Sequence, residues 1–149
     1  MELKELYGPR LKRAEDMIRQ EGAPCVFLLP DGTFHPGTGT GVRPLLETLD
    51  KEPELMRGSI LADKIVGKAA AMLAVLGGVR GVYGLTMSEA ARAYLAERGI
   101  PAAWEVLTEN IINRTGTGIC PMEETVLDIE DPEVGRTALR ATMQRLMAK

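Results

Sequence analysis

The sequence predicts an α/β domain built on a mixed sheet of about five strands, and three observations carry that expectation. From residue 58 onward, apolar runs of strand length alternate with helical stretches through short connections, giving strand, helix, strand, helix, strand. Ahead of them, an apolar run at 25–29, the turn pair Asp31-Gly32 and a short return at 33–35 form a β-hairpin. An amphipathic helix precedes the hairpin and another closes the chain, so apolar faces are available to cover the sheet.

Each element has its own signal. Leu11, Ala14, Met17 and Ile18 recur at helical spacing among charges, which predicts an opening helix that Gly8-Pro9 breaks in its first turn and that Gly22 and Pro24 end. After the hairpin, a short helix runs over 44–49 and stops before Pro53. Residues 58–61 read as a short strand. Asp63 is then the expected N-cap of a strong helix over 64–76 that stops at Gly77-Gly78. Val66, Ala69, Ala70, Met72, Leu73, Val75 and Leu76 leave that helix little polar surface, so it belongs buried against the sheet. The next strand spans 79–85, a helix over 89–98 follows with Ser88 as N-cap and Gly99 at its end, and 104–107 is another strand. A helical turn at 121–127 and an amphipathic helix at 132–147 complete the order.

Composition narrows the function classes. With 149 residues, 45% hydrophobic and 26% charged, the chain holds one core and is expected as a single domain over 1–149, and its 4% aromatic content makes that core aliphatic. A net charge of −3 and a pI near 5.3 provide no basic face for a duplex, so nucleic acid is not an expected partner, although a local basic pocket is compatible with them. Cys25 and Cys120 have no framework spacing, which favours a reduced, cytoplasmic setting over a structural disulfide. Residues 1–22 are charged throughout, unlike a signal peptide, and the longest apolar segment, 69–76, is too short to span a bilayer. Neither a membrane nor a cofactor is implied.

One pattern occurs twice. Thr38-Gly39-Thr40-Gly41-Val42-Arg43-Pro44-Leu45-Leu46-Glu47-Thr48 is echoed by Thr115-Gly116-Thr117-Gly118-Ile119-Cys120-Pro121-Met122-Glu123-Glu124-Thr125 at a constant offset of 77 residues. Each copy is a Gly/Thr loop feeding a proline at a helix start, and such loops offer backbone N–H groups to anions. The elements upstream do not match, so the echo is one local solution used twice rather than a duplication. The second loop carries more chemistry. Asn113 and Arg114 bring amide donors and a planar guanidinium ahead of Thr115, Gly116, Thr117 and Gly118, and Cys120 stands where a helix dipole lowers a thiol pKa. A nucleophilic Cys120 would need a base, and His35 is the sole imidazole. In the first loop Arg43 takes the place of Cys120. Were both loops to face one pocket, Arg43 and Arg114 with Lys64 would make a cationic cleft for an anionic small molecule such as a nucleotide or sugar phosphate. Glu123, Glu124, Asp128, Glu130 and Asp131 form an acidic run that reads first as a solvated helix end and turn, and only secondarily as a magnesium ligand for a phosphate ester.

The element order, with Ala62-Asp63-Lys64-Ile65-Val66-Gly67-Lys68-Ala69-Ala70-Ala71-Met72-Leu73 opening the buried helix, resembles the cytidine deaminase-like fold. Together with residues 113–123, that segment more closely resembles an uncharacterised prokaryotic family of that fold, a domain of unknown function, over roughly 23–131. The resemblance implies a three-layer α-β-α architecture. It does not imply zinc deamination: such enzymes place His-x-Glu or Cys-x-Glu and Pro-Cys-x-x-Cys at the two helix starts, where this chain reads Ala62-Asp63-Lys64 and Thr86-Met87-Ser88-Glu89. The resemblance does place Asp63 and Lys64 where related enzymes carry catalytic residues and Ser88 at the second helix start, and Lys68, four residues after Lys64, would add a second charge on one face. The leading expectation is a zinc-free protein that binds a nucleotide-like or other phosphorylated ligand between the start of the Asp63 helix and the Thr115 loop. A transferase or hydrolase using Asp63/Lys64 or Cys120 is the alternative. A homo-oligomeric interaction module whose glycine loops are only structural is the third.

Overall fold

A computed structural model describes residues 2–113 and 115–148 of the chain. Helix α1 (Leu3–Glu21) opens it and bends at Tyr7, two residues before Pro9, as expected where proline removes an amide donor from the helix interior. Strands β1 (Cys25–Leu28) and β2 (Phe34–Pro36) form the hairpin. Helix α2 (Arg43–Lys51) and a 3₁₀ turn at Pro53–Leu55 lead into β3 (Ile60–Val66). Then follow α3 (Lys68–Gly77), β4 (Gly81–Ser88), α4 (Glu89–Glu97), β5 (Ala102–Thr108), α5 (Pro121–Val126) and α6 (Pro132–Met147).

The sheet order is β2-β1-β3-β4-β5, with β1 antiparallel to both neighbours and β3, β4 and β5 parallel. Helix α1 alone covers one face, where Leu3, Leu11, Ala14, Met17 and Ile18 pack on Val26, Leu28, Ile60, Ala62, Tyr83 and Leu85. The other face is buried by the remaining helices around α3, whose residues from Lys68 to Ala74 are all buried. The result is a three-layer α-β-α arrangement, as the resemblance implied.

The sequence reading fails at one boundary. Residues 64–67 do not open a helix; β3 continues through Val66, because Ile65 and Val66 are β-branched and pair with Thr86 and Met87. Asp63 is therefore not an N-cap, and Lys64 does not share a helix face with Lys68. Beyond Asp63 the strands also change which side faces the five helices. Leu61, Val82 and Trp104 point there, and so do Val66, Met87 and Leu107 after an odd number of residues, with no pairs given by Lys64, Leu85 and Glu105 in between. Ile65 and Val106 are turned to solvent by the same change. It delivers Gly67 and Ser88, the last residues before α3 and α4, to one edge of the sheet.

Candidate functional site

Parallel strands end together, and in an open α/β sheet the edge at their carboxyl ends is where ligands bind. Here that edge holds the starts of α3 and α4, and residues 109–113 and 115–119 flank it, joined by an Ile112–Ile119 bridge and by the Cys120 amide donating to Ile111 O at 2.9 Å. At that edge lies a cavity of about 90 Å³, lined by Lys68, Ser88, Glu109, Asn110, Ile119 and Glu123, among others.

Glu123 dominates its electrostatics. The carboxylate reaches from the first turn of α5 to the start of α3, accepting from Lys68 N at 2.7 Å and Ala69 N at 2.9 Å. These are first-turn amides with no partner inside their own helix, and a carboxylate at a helix N-terminus also opposes the macrodipole favourably. Burial pushes the Glu123 carboxyl above the ordinary range, while the two amides and Lys68 pull it back. Gly67 makes the approach feasible, since a Cβ there would overlap the carboxyl group.

Lys68 is buried beside it and points outward along α3's flank. Its ammonium donates to Glu130 Oε2 at 2.5 Å and to Leu127 O at 3.1 Å. Glu130 is held below its ordinary range by that bond. The same residue's carbonyl accepts from Tyr94 Oη at 2.8 Å and Arg98 Nη2 at 2.7 Å, and the Arg98 guanidinium lies 3.8 Å from the centre of the Tyr94 ring. The connection from α5 to α6 is thus clamped by α3 and α4, which fixes the helix that carries Glu123. Ser88 caps α4 by accepting from Ala91 N at 3.1 Å, as the sequence predicted.

The other sequence-derived candidates fall in separate places. Asp63 is buried within the sheet opposite Cys25 and lines neither this cavity nor the helix start. Desolvation pushes its carboxyl up to about 8, against the pull of the Ile65 and Lys64 amides, so at neutral pH it is a buried neutral acid. Lys64 is exposed. Arg43 is exposed on α2, bonds Glu47 at 2.8 Å and is not among the residues that line the crevice. Arg114 lies outside the described residues. Asn113 Oδ1 accepts from Thr115 Oγ1 at 3.1 Å and Thr117 N at 3.0 Å, and the two threonine hydroxyls meet at 2.7 Å, so the second Thr-Gly loop closes on itself. Gly116 N donates to Asn113 O, and Gly118 O accepts from Asn113 N at 2.8 Å. Cys120 is half-buried at the N-cap of α5.

Residues that sequence reasoning left out of the site are Glu109, Asn110, Tyr94 and Arg98, together with Glu123 and Glu130 in the roles they take. The one signal that pointed to Glu123 was the mismatch inside the echo, where its counterpart is the apolar Leu46.

None of the curated proteins compared with the chain matches it. Among solved structures, the crystal structure of a DUF1893 family protein, TM1506, from Thermotoga maritima superposes with a TM-score of 0.73 at 21% identity, covering 91% of this chain and 88% of that one. At that identity the match speaks for the fold. The family model described as TM1506, domain of unknown function (DUF1893), matches residues 13–143, and the chain therefore belongs to the DUF1893 family.

Proposed function

We propose that the protein binds a nucleotide-like or other phosphorylated small molecule on a cytidine deaminase-like scaffold, with the anionic group in the crevice lined by Lys68, Ser88 and Asn110. The observation that carries this reading is the convergence of Lys68, Ser88 and Asn110 on one cavity at the carboxyl ends of three parallel strands. A volume of about 90 Å³ suits a phosphate-sized group, which leaves the rest of the ligand outside the crevice. The α3 amides are taken by Glu123 and two of the three Lys68 ammonium hydrogens by Glu130 and Leu127, so the incoming anion is directed to the third and to the first turn of α4, where Ala90 lines the crevice.

Zinc has no fitting donors here. The first turns of α3 and α4 offer Gly67, Lys68, Ala69 and Ser88, Glu89, Ala90, without thiolate or imidazole, and the nearest buried carboxylate is committed to two amides. Among the described residues, no three His, Cys, Asp or Glu side chains gather to hold a metal ion.

Thermal unfolding in the presence of nucleoside phosphates, sugar phosphates and inorganic phosphate tests the reading. Stabilisation that grows with ligand concentration, and that falls in Asn110→Ala, is expected. No shift with any of these ligands at concentrations in the millimolar range would sink it.

A further inference from the structure

A second cavity, larger than the crevice, lies elsewhere in the fold. A groove of about 400 Å³ opens between the end of α1 and the loop that follows β2, bounded by Met17, Glu21, Pro24, Pro36, Gly37 and Thr38, among others. Met17, Pro24 and Pro36 give it apolar walls. Among the described residues lining it, Glu21 is the one ionisable side chain.

The backbone adds to that negative charge. Helix α1 ends at Glu21 with Gly22 in the left-handed conformation, and both amides that follow, Gly22 N and Ala23 N, fold back on Met17 O. Met17, Glu21 and Gly22 line the groove, so the end of α1 brings the negative pole of its helix dipole to it. Arg13 engages Glu21 from outside the groove, through Nη1 to Oε2 at 2.6 Å. A carboxylate accepts on both oxygens, so Oε1 is left to a second donor.

We infer that this groove is a binding site for a small organic cation, an ammonium carried on an apolar body. The ammonium donates to Glu21 Oε1 and to the end of α1, while the body lies along Met17, Pro24 and Pro36. Met17 suits such a role because its thioether adapts to the shape placed against it. The volume accommodates a ligand of that kind.

Amide NMR titration of the full chain with benzylamine and with benzyl alcohol, its uncharged counterpart, tests the inference. Benzylamine is expected to shift the Gly22, Gly37 and Thr38 amide signals saturably, with benzyl alcohol binding more weakly at the same residues. Glu21→Gln, at an exposed helix end that the fold does not depend on, should weaken benzylamine about fivefold, toward the alcohol. Arg13→Ala, which releases Oε2, should strengthen it. Equal affinity for amine and alcohol, an unchanged Glu21→Gln affinity, or no saturable shift at these residues would each overturn the assignment.

Discussion

Residues 38–48 and 115–125 carry the same pattern, and part of it folds identically in both. The threonine that ends each copy sends Oγ1 back to the proline carbonyl four residues earlier, Thr48 to Pro44 and Thr125 to Pro121, at 2.7 Å in each case. The copies part at a position the pattern leaves open. In the first, Leu46 is 3% exposed and packs in the aliphatic core. In the second, Glu123 is also buried, at 9% exposed, but sends a carboxylate to the start of α3. A repeated local pattern thus sets how a helix begins, and one variable residue decides whether that helix serves the core or another helix's terminus.

Exchanging those two residues gives the largest expected effects. Glu123→Leu leaves the Lys68 and Ala69 amides buried without an acceptor, and a loss of about 3 kcal/mol is expected in urea unfolding. Hydrogen exchange should speed up first at those two amides. Leu46→Glu places a carboxylate among apolar neighbours with no amides to receive it, at a cost of about 4 kcal/mol. Should Glu123→Leu prove neutral, the carboxylate is not what holds α3's start and the contrast between the copies dissolves.

The two segments also sit near two different buried acids. Gly37, just ahead of the first, donates its amide to Cys25 O, and Cys25 faces Asp63 across the sheet. Asp63 titrates near 8 in the folded chain, against about 3.9 for an unfolded aspartate. The folded state therefore binds a proton that the unfolded state has released between those values. Stability contributed by the neutral acid is fully present below about pH 4 and declines as pH rises toward 8, by up to about 1.4 kcal/mol per pH unit. Glu123 is raised by the same cause and adds a slope of the same sign. Asp63→Asn should remove most of this slope, and Glu123→Gln a smaller part. A flat wild-type stability profile from pH 5 to 8 would contradict the buried neutral acid.

These contrasts explain what the sequence could and could not reveal. The hairpin, the Ser88 cap and α6 were legible because their signals are local: a turn pair, a hydroxyl three residues ahead of the amide it accepts from, an amphipathic period. The start of α3 was not. An apolar helix buried all round has no phase to mark its first residue, and Asp63-Lys64 imitates a capping signal just ahead of it. The actual cap comes from Glu123, 55 residues away, and no local pattern encodes that pairing. A crevice does lie at the start of α3, but Asp63, Lys64 and the Thr115 to Gly118 stretch do not line it.

The shared threonine bond is open to a finer test. Thr48→Val removes one partly buried hydrogen bond to a carbonyl, for which about 0.5–1 kcal/mol is expected. Thr125 also meets Thr142 of α6 at 2.7 Å, so Thr125→Val breaks a second contact and strands a buried hydroxyl. A loss of about 1–2 kcal/mol follows. A double-mutant cycle with Thr142→Val should show coupling for Thr125 and none for Thr48.

The smallest difference is in the loops themselves. Gly41 and Gly118 occupy the same place in the pattern, but Gly41 has φ of 60° and Gly118 is not in the left-handed region. A Cβ would meet nothing within 4 Å at either position, so only the backbone conformation distinguishes them. Gly41→Ala forces an L side chain into a disfavoured region, at a cost of about 1 kcal/mol. Gly118→Ala carries no such strain and restricts the unfolded chain, so stability should hold or rise by about 0.5 kcal/mol. Opposite signs from one substitution at equivalent positions would show that the two Thr-Gly loops share residues but not a backbone, and equal costs would mean that they fold as one motif.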